Sequence, residues 1–177
     1  MTTPEFSRTI RLDTLGEQPR TMTIAAEPEE RSALARRFGL LALDRLEAEL
    51  TLSRSGDEVA MHGALQADVG QACVASGAPV PATLAVPFDI VFRPQPVPDQ
   101  AEEEIELSES EMDVVFYDRD VDVGEAVAET LSLNLDPYPR APEADAILRA
   151  AGVKREGEEE TGPLAAALAG LKDRLKP

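Results

Sequence analysis

Residues 46–69 read LEAELTLSRSGDEVAMHGALQADV and carry the clearest secondary-structure signal in the chain. Apolar residues occupy every second position from Leu46 to Leu52 and again from Val59 to Val69, which is the period of a strand with one buried face. The string SRSGDE between the two runs supplies turn residues. The stretch therefore predicts a β-hairpin whose apolar residues face one core.

Further strands are predicted on either side of this hairpin. Residues 80–92 continue the alternation, with Pro81 and Pro87 on the opposite parity. Because proline cannot donate a ladder hydrogen bond, this strand is expected to lie at a sheet edge or to bend. Shorter alternating runs predict strands at 6–12 and 112–116.

Capping residues indicate where two helices begin and end. Pro28 suits a first helical turn and Gly39 suits a C-terminal cap, so we predict a helix at 28–38. Another helix is expected from near Pro142 to near Gly152.

A helix at 122–132 is predicted from two independent signals. Asp122 and Glu125 have the spacing of a capping box, with Asp in place of Ser or Thr. The apolar residues that follow recur one helical turn apart, which is typical of a buried stripe. The stripe consists of Val123, Val127 and Leu131.

Strands separated by turns, with helices at intervals, indicate an α+β fold. We predict an antiparallel β-sheet that curls toward a barrel, with three to four short helices, in a single domain over residues 1–152. A linker at 153–162 then leads to a C-terminal amphipathic helix at 163–177. That helix either docks on a partner or second copy, or packs back on its own domain. Its apolar face consists of Leu164, Leu168, Leu171 and Leu175.

The formal charge of −17 is concentrated in one part of the chain. Residues 99–125 hold 12 acidic residues and one basic residue. Repulsion with little apolar surface to offset it predicts a mobile acidic loop near 94–110. This loop either only adds solubility or forms a patch that attracts a basic partner, since clustered charge raises encounter rates. The candidate patch consists of Glu102, Glu103, Glu104, Glu106, Glu109 and Glu111.

Residue types that carry metal or catalytic chemistry are scarce. Cys73 is the single cysteine and His62 the single histidine, so we expect no internal disulfide, no zinc site and no activated cysteine nucleophile. No glycine-rich phosphate loop, G-x-S-x-G elbow or H-E-x-x-H motif occurs in the sequence. The sequence therefore predicts neither an enzyme nor a bound cofactor.

Membrane attachment is also not expected. The amino terminus lacks the apolar stretch of a signal peptide, and the longest uncharged run, 69–88, is interrupted by prolines and glycines. A cytoplasmic location with no membrane partner is the prediction.

One basic cluster offers an alternative interaction surface. Arg31, Arg36 and Arg37 lie on the helix predicted at 28–38, and an Arg-rich helix face can contact RNA phosphates directly. The overall negative charge opposes RNA binding, because it repels phosphates. Direct RNA binding through these arginines is therefore the second hypothesis.

Four sequence features resemble the YceD-like family. They are the G-x-L-x-A-x-V-x-x-x-C strand from Gly63 to Cys73, the acidic insertion, the hydrophobic-Asp pair at Val121 and Asp122, and the L-x-L-x-P-x-P exit from Leu133 to Pro139. The version LDPYPRAP is similar to that of an alphaproteobacterial branch. Many relatives carry a second cysteine three residues after the first and another after the proline exit. This chain has Ser76 at the first of these positions and no cysteine near Arg140.

The resemblance implies a non-enzymatic role in the synthesis, processing or stability of large-subunit (23S) ribosomal RNA. Ribosomal proteins are typically strongly basic, whereas this chain carries a charge of −17. We therefore favour an acidic adaptor that holds a basic ribosomal protein or assembly factor, with ribosomal RNA contacted only indirectly.

Overall fold

The computed structural model describes residues 4–16, 18–95 and 114–154. These residues form an α+β fold, as predicted, with a short 3-10 turn at Leu12–Thr14. The strands are β1 Thr9–Arg11, β2 Arg20–Ala25, β3 Ala42–Ser55, β4 Glu58–Ala72, β5 Pro79–Pro94, β6 Val114–Tyr117 and β7 Asp120–Asp122. The helices are α1 Pro28–Phe38, α2 Val123–Leu133 and α3 Ala144–Ala150.

The predicted hairpin is confirmed as β3 and β4, which lie within a five-stranded sheet of order β2-β3-β4-β5-β6. The two strands are antiparallel, with Leu52 opposite Met61, and both side chains are buried. Gly63 lies opposite Leu50. A Cβ at this glycine would come within 2.3 Å of the Glu49 carbonyl oxygen, so the close approach of β3 requires glycine.

β5 is antiparallel to β4 and keeps the predicted parity, with Phe92 fully buried at its far end. β6 pairs only with the last four residues of β5, so residues 79–90 have no second strand neighbour among the described residues. This confirms the edge position expected for Pro81 and Pro87. Leu84, on the inward parity, is half-buried and packs against the core.

β6 corrects the prediction of a wholly antiparallel sheet. It runs parallel to β5, with Val91 opposite Val114. Alternation at 112–116 indicates a strand but carries no information about its direction, which depends on how the chain returns to the sheet. β1 and β7 form a separate antiparallel pair. Within the described residues β2 and β6 do not pair with each other, so a closed barrel is not shown.

The helices agree closely with their predicted bounds. α1 spans 28–38 as predicted, and Gly39 ends it at φ 66°, a left-handed conformation that favours glycine. The Asp122 carboxylate caps α2 by accepting the Gly124 and Glu125 backbone N–H groups at 3.1 Å. The apolar stripe of α2 is fully buried. α3 is shorter than predicted by two residues at each end.

Three strands differ from the sequence expectations, and one of them is β7 at Asp120–Asp122, which the alternation does not predict. β2 was not predicted, and it pairs along β3 with Ile24 buried opposite Ala48. The strand expected at 6–12 is limited to Thr9–Arg11, although Phe6 is fully buried outside it.

The main core lies between the sheet and helices α1 and α2, and a smaller cluster of Cys73, Ala141 and Ala144 joins the end of β4 to the start of α3. No helix in the described ranges is long and apolar enough to cross a membrane. The predicted acidic loop at 94–110 lies almost entirely outside the described residues, as do most of the linker and the C-terminal helix.

Candidate interaction site

The six glutamates of the predicted acidic patch lie outside the described residues, which fix only the two points where that segment is attached. The Gln95 backbone N–H donates to the Tyr117 carbonyl at 3.0 Å, and Val114 lies opposite Val91. Both attachment points are therefore on the β5–β6 pair.

Arg37, one of the three arginines of the alternative RNA-binding face, is held by two carboxylates. It donates to Glu125 of α2 at 2.6 and 3.0 Å and to Glu5 at 3.0 Å. The Glu125 and Glu5 carboxylates raise the pKa of Arg37, and a backbone hydrogen bond together with Arg37 lowers the pKa of Glu5. This clamp joins α1 to α2 and to the N-terminal segment.

The other two arginines of this face have different contacts. Arg31 donates to the Ala26 carbonyl oxygen at 2.7 Å, which fastens the start of α1. The Arg36 side chain is exposed and forms no hydrogen bond or ion pair with any residue that the structure describes. Of the three side chains, Arg36 is thus the most available to an outside ligand, and the RNA-binding role stays a prediction.

Most other arginines are also paired with carboxylates of this chain. Arg8 makes a bidentate pair with Glu30 at 2.7 and 2.8 Å, and its backbone N–H donates to Asp122. Seven of the twelve arginines in the described ranges form an ion pair with an Asp or Glu side chain. They are Arg8, Arg11, Arg37, Arg45, Arg54, Arg93 and Arg140.

A groove runs between α2 and strands β5 and β6, and we name this surface the α2 groove. It consists of two contiguous cavities of about 350 and 440 Å³, which share Val115, Ala126 and Glu129. Residues of β5, β6 and α2 form most of its walls. They include Phe88, Ile90, Phe92, Val114, Val115, Phe116, Tyr117, Glu125, Ala126, Glu129, Thr130 and Leu133.

Large apolar side chains are left exposed in the walls of the α2 groove. Phe116 of β6 is 55% exposed and Leu133 at the end of α2 is 84% exposed. Phe88 and Ile90, by contrast, are almost fully buried and form part of the floor. The α2 groove is therefore apolar at the base and retains exposed apolar surface higher up.

The polar lining of the α2 groove is predominantly acidic. The Asp118 and Glu129 side chains form no hydrogen bond or ion pair within the described part of the chain. Arg119 is the single basic residue among those that line the two cavities. The acidic lining residues are Asp89, Asp118, Asp120, Asp122, Glu125 and Glu129.

The surroundings of Glu129 disfavour its charged form. Burial raises its pKa, the neighbouring Glu125 carboxylate raises it further, and Arg37 partly opposes both effects. Glu125, Glu129 and Leu133 are spaced four residues apart, so they share one flank of α2 next to its buried stripe. This spacing is the signal in the sequence that indicates the groove wall, and it is weaker than the neighbouring apolar stripe.

The single cysteine and histidine are not close to each other on the sheet. Cys73 is buried, and the Ala141 backbone N–H together with the Ser76 hydroxyl lowers its pKa to about 7. The structure thus places Ser76 and the segment after the proline exit beside Cys73. His62 is exposed, as its parity predicts, and lies 2.9 Å from Asp89. The described residues contain no group of three or more His, Cys, Asp or Glu suited to a metal ion.

Comparison with known proteins gives one family for this chain. The family described as "Large ribosomal RNA subunit accumulation protein YceD" matches residues 61–172, a range that includes β5, β6, α2 and the α2 groove. No curated protein and no solved structure matches the chain. Because the family match covers more than half of the 177 residues, this chain belongs to the YceD family.

Proposed function

We propose that this chain supports the accumulation of large-subunit ribosomal RNA as an acidic adaptor that holds a basic ribosomal protein or assembly factor. The family description supports involvement in ribosomal RNA accumulation and names no reaction. The adaptor mechanism, its basic partner and its site of action in the cytoplasm are the proposal. Ribosomal RNA is reached through the partner, and no catalytic step is involved.

The observation that carries this proposal is that, among the described residues, most arginines are paired within the chain, whereas some acidic side chains have no ion-pair partner. Seven of the twelve described arginines are paired with carboxylates of the same chain. Phosphate recognition needs cationic side chains that are free to displace counterions. Meanwhile the Asp118 and Glu129 side chains have no ion-pair partners within the described residues, and 12 acidic residues fall within 99–125. This balance favours a basic ligand over RNA.

The short range of electrostatic attraction in salt makes the position of the acidic residues important for binding a basic protein. Exposed charges act over a Debye length of about 8 Å at physiological salt, so a concentrated acidic region attracts a basic protein more effectively than the same charge spread evenly. Both attachment points of the undescribed acidic segment lie on β5 and β6. We therefore expect β6 and its surroundings to be near the contact.

A capture experiment tests the proposal. The full chain is immobilised and mixed with total ribosomal proteins and ribosomal RNA, with and without ribonuclease, and the retained material is identified by mass spectrometry. We expect basic proteins to be retained after ribonuclease treatment and released as salt rises from about 0.1 to 0.5 M. Retention that requires intact RNA would contradict the adaptor and support direct RNA binding.

Two matched variants make the capture experiment specific. The variant E102Q/E103Q/E104Q/E106Q removes four charges from the candidate acidic patch. The control D44N/E49Q/E29Q/E143Q removes four charges at exposed positions of α1, β3 and the segment before α3. Capture should weaken clearly in the first variant and only slightly in the second.

A further inference from the structure

We propose that the α2 groove is the docking site for a short, basic amphipathic helix of the partner protein. This inference rests on the proposed adaptor function and specifies the surface and the chemistry of the contact. It depends on the described residues alone.

The first argument is the distribution of apolar surface. The floor of the groove includes Phe88, Ile90 and Ala126, which are already packed in the core. Phe116 and Leu133 stay 55% and 84% exposed. Exposed apolar side chains grouped around a concave surface are typical of protein interaction sites. A ligand with an apolar face would remove this surface from water.

The second argument is charge complementarity. Asp118 and Glu129 are acidic residues without ion-pair partners in the described ranges, and Arg119 is the single base in the lining. Arg37 is paired with Glu125 and forms no ion pair with Glu129 in the described residues, although its charge partly offsets the repulsion at Glu129. A lysine or arginine beside Glu129 would offset the repulsion between Glu125 and Glu129. The same carboxylates repel the phosphates of RNA.

The third argument concerns the form of the ligand. An extended peptide binding at the free edge of β5 would need backbone donors, and Pro81 and Pro87 have no N–H group. The groove instead follows α2, a helix of 11 residues that is about 16 Å long. A helix of about three turns lying along α2 places apolar residues on the floor and basic residues beside the acidic wall.

Peptide binding to the full chain tests this site. The probe is a fluorescently labelled peptide of Lys, Leu and Ala with amphipathic helical spacing, and affinity is measured by anisotropy. D118N/E129Q should weaken binding about fivefold, since two charge contacts are lost. The control D44N/E49Q, which removes two exposed charges from β3, should bind as the parent does.

A second pair of variants tests the apolar contact. Leu133→Ser should weaken peptide binding about fivefold, because it removes apolar contact area from the groove. Leu41→Ser is the control, since Leu41 is 56% exposed and does not line the groove. Both leucines are exposed, so neither change should disturb folding. Amide shifts on peptide addition should map to 114–118 and 125–133.

Several results would overturn the inference. The inference is wrong if D118N/E129Q binds the Lys peptide with the same affinity as the parent chain does. It is also wrong if the parent chain binds a peptide with Glu in place of Lys as tightly as it binds the Lys peptide. Tighter binding by L168D/L171D would show that the chain's own C-terminal segment occupies the groove. Concentration-dependent dimerisation that Leu133→Ser abolishes would assign the groove to a second copy.

The capture experiment separates this inference from the proposed function. If the parent and D118N/E129Q retain basic ribosomal proteins equally well, the α2 groove is not the docking site and the adaptor function stands. If the parent retains none, the adaptor function itself fails.

Discussion

The two ends of α2 use their charged residues in opposite ways. At the amino end, Asp122 accepts backbone N–H groups, and Glu125 is held by Arg37. Toward the carboxyl end, Glu129 has no ion-pair partner in the described residues and Leu133 is 84% exposed. The amino end therefore stabilises the fold, whereas the carboxyl half leaves charge and apolar surface open for binding.

The amino end is also where the N-terminal segment is fastened. Phe6 is fully buried, and a Cβ at Gly124 would come within 2.3 Å of the Phe6 carbonyl oxygen. Ser7 donates to the Asp122 carboxylate at 2.5 Å, and the Arg8 guanidinium lies 4.6 Å from the centre of the Phe6 ring. Substitutions near this end should reduce stability, while substitutions in the carboxyl half should change binding.

The largest expected difference in stability is between two phenylalanines. Phe6→Ala leaves a cavity under the N-terminal segment and should cost about 3–5 kcal/mol of unfolding free energy. Phe116→Ala, at a side chain that is 55% exposed, should change it by about 0.5 kcal/mol or less. Denaturant titration of the two variants measures both values. Similar losses in both would contradict the assignment of Phe116 to a binding surface.

Two neighbouring arginines on α1 provide a smaller contrast. Arg37→Ala removes the clamp to Glu125 and Glu5 and should cost about 1–2 kcal/mol, a modest value because a third of the Arg37 side chain is exposed. Arg36→Ala should change stability by about 0.5 kcal/mol or less. Thermal unfolding at low ionic strength measures the difference. If Arg36→Ala were the more damaging change, the clamp would be wrongly assigned.

The pH dependence of stability should have opposite signs at Glu30 and Glu129. Arg8 lowers the pKa of Glu30 below its ordinary value of 4.5, so this carboxylate stabilises the fold above that value, and its contribution is lost as pH falls through the lowered pKa. Burial and Glu125 raise the pKa of Glu129, so its charged form costs stability as pH rises from 4.5 through the raised pKa.

Glutamine variants compared at two pH values test these signs. At pH 7 Glu30→Gln should be less stable than the parent by about 1 kcal/mol, while Glu129→Gln should be slightly more stable. The Glu129 difference should shrink as pH falls through the raised pKa of Glu129, and the Glu30 difference should shrink only as pH falls further, through the lowered pKa of Glu30. If both variants were less stable than the parent at pH 7, or both more stable, the opposite roles assigned to Glu30 and Glu129 in stability would be wrong.

Local patterns predicted the hairpin and the helices, because caps and periodicity lie within a few residues of each other. They did not reveal that β6 is parallel to β5, since strand direction depends on residues that are distant in sequence. The Arg37 clamp joins Glu5 and Glu125, which are 32 and 88 positions away. The α2 groove likewise combines residues from β5, β6 and α2, so its walls could not be assembled from one segment.

The Arg37 clamp also changes how the RNA-binding alternative should be tested. Because Arg37→Ala is expected to lower stability, a loss of function in that variant would not identify an RNA contact. Replacing the pair Arg31 and Arg36 leaves the contacts to Glu5 and Glu125 in place, but it removes the bond from Arg31 to the Ala26 carbonyl, so the stability of the double variant is measured before its function is compared.

The most direct test of the adaptor mechanism measures large-subunit ribosomal RNA in cells that lack this protein and are supplied with variants. The two variants are E102Q/E103Q/E104Q/E106Q and R31A/R36A, each checked for unchanged folding by circular dichroism. The adaptor predicts that the glutamine variant restores much less ribosomal RNA than the parent and that the arginine variant restores it fully. Full restoration by the glutamine variant together with failure of the arginine variant would contradict the adaptor and establish direct RNA contact.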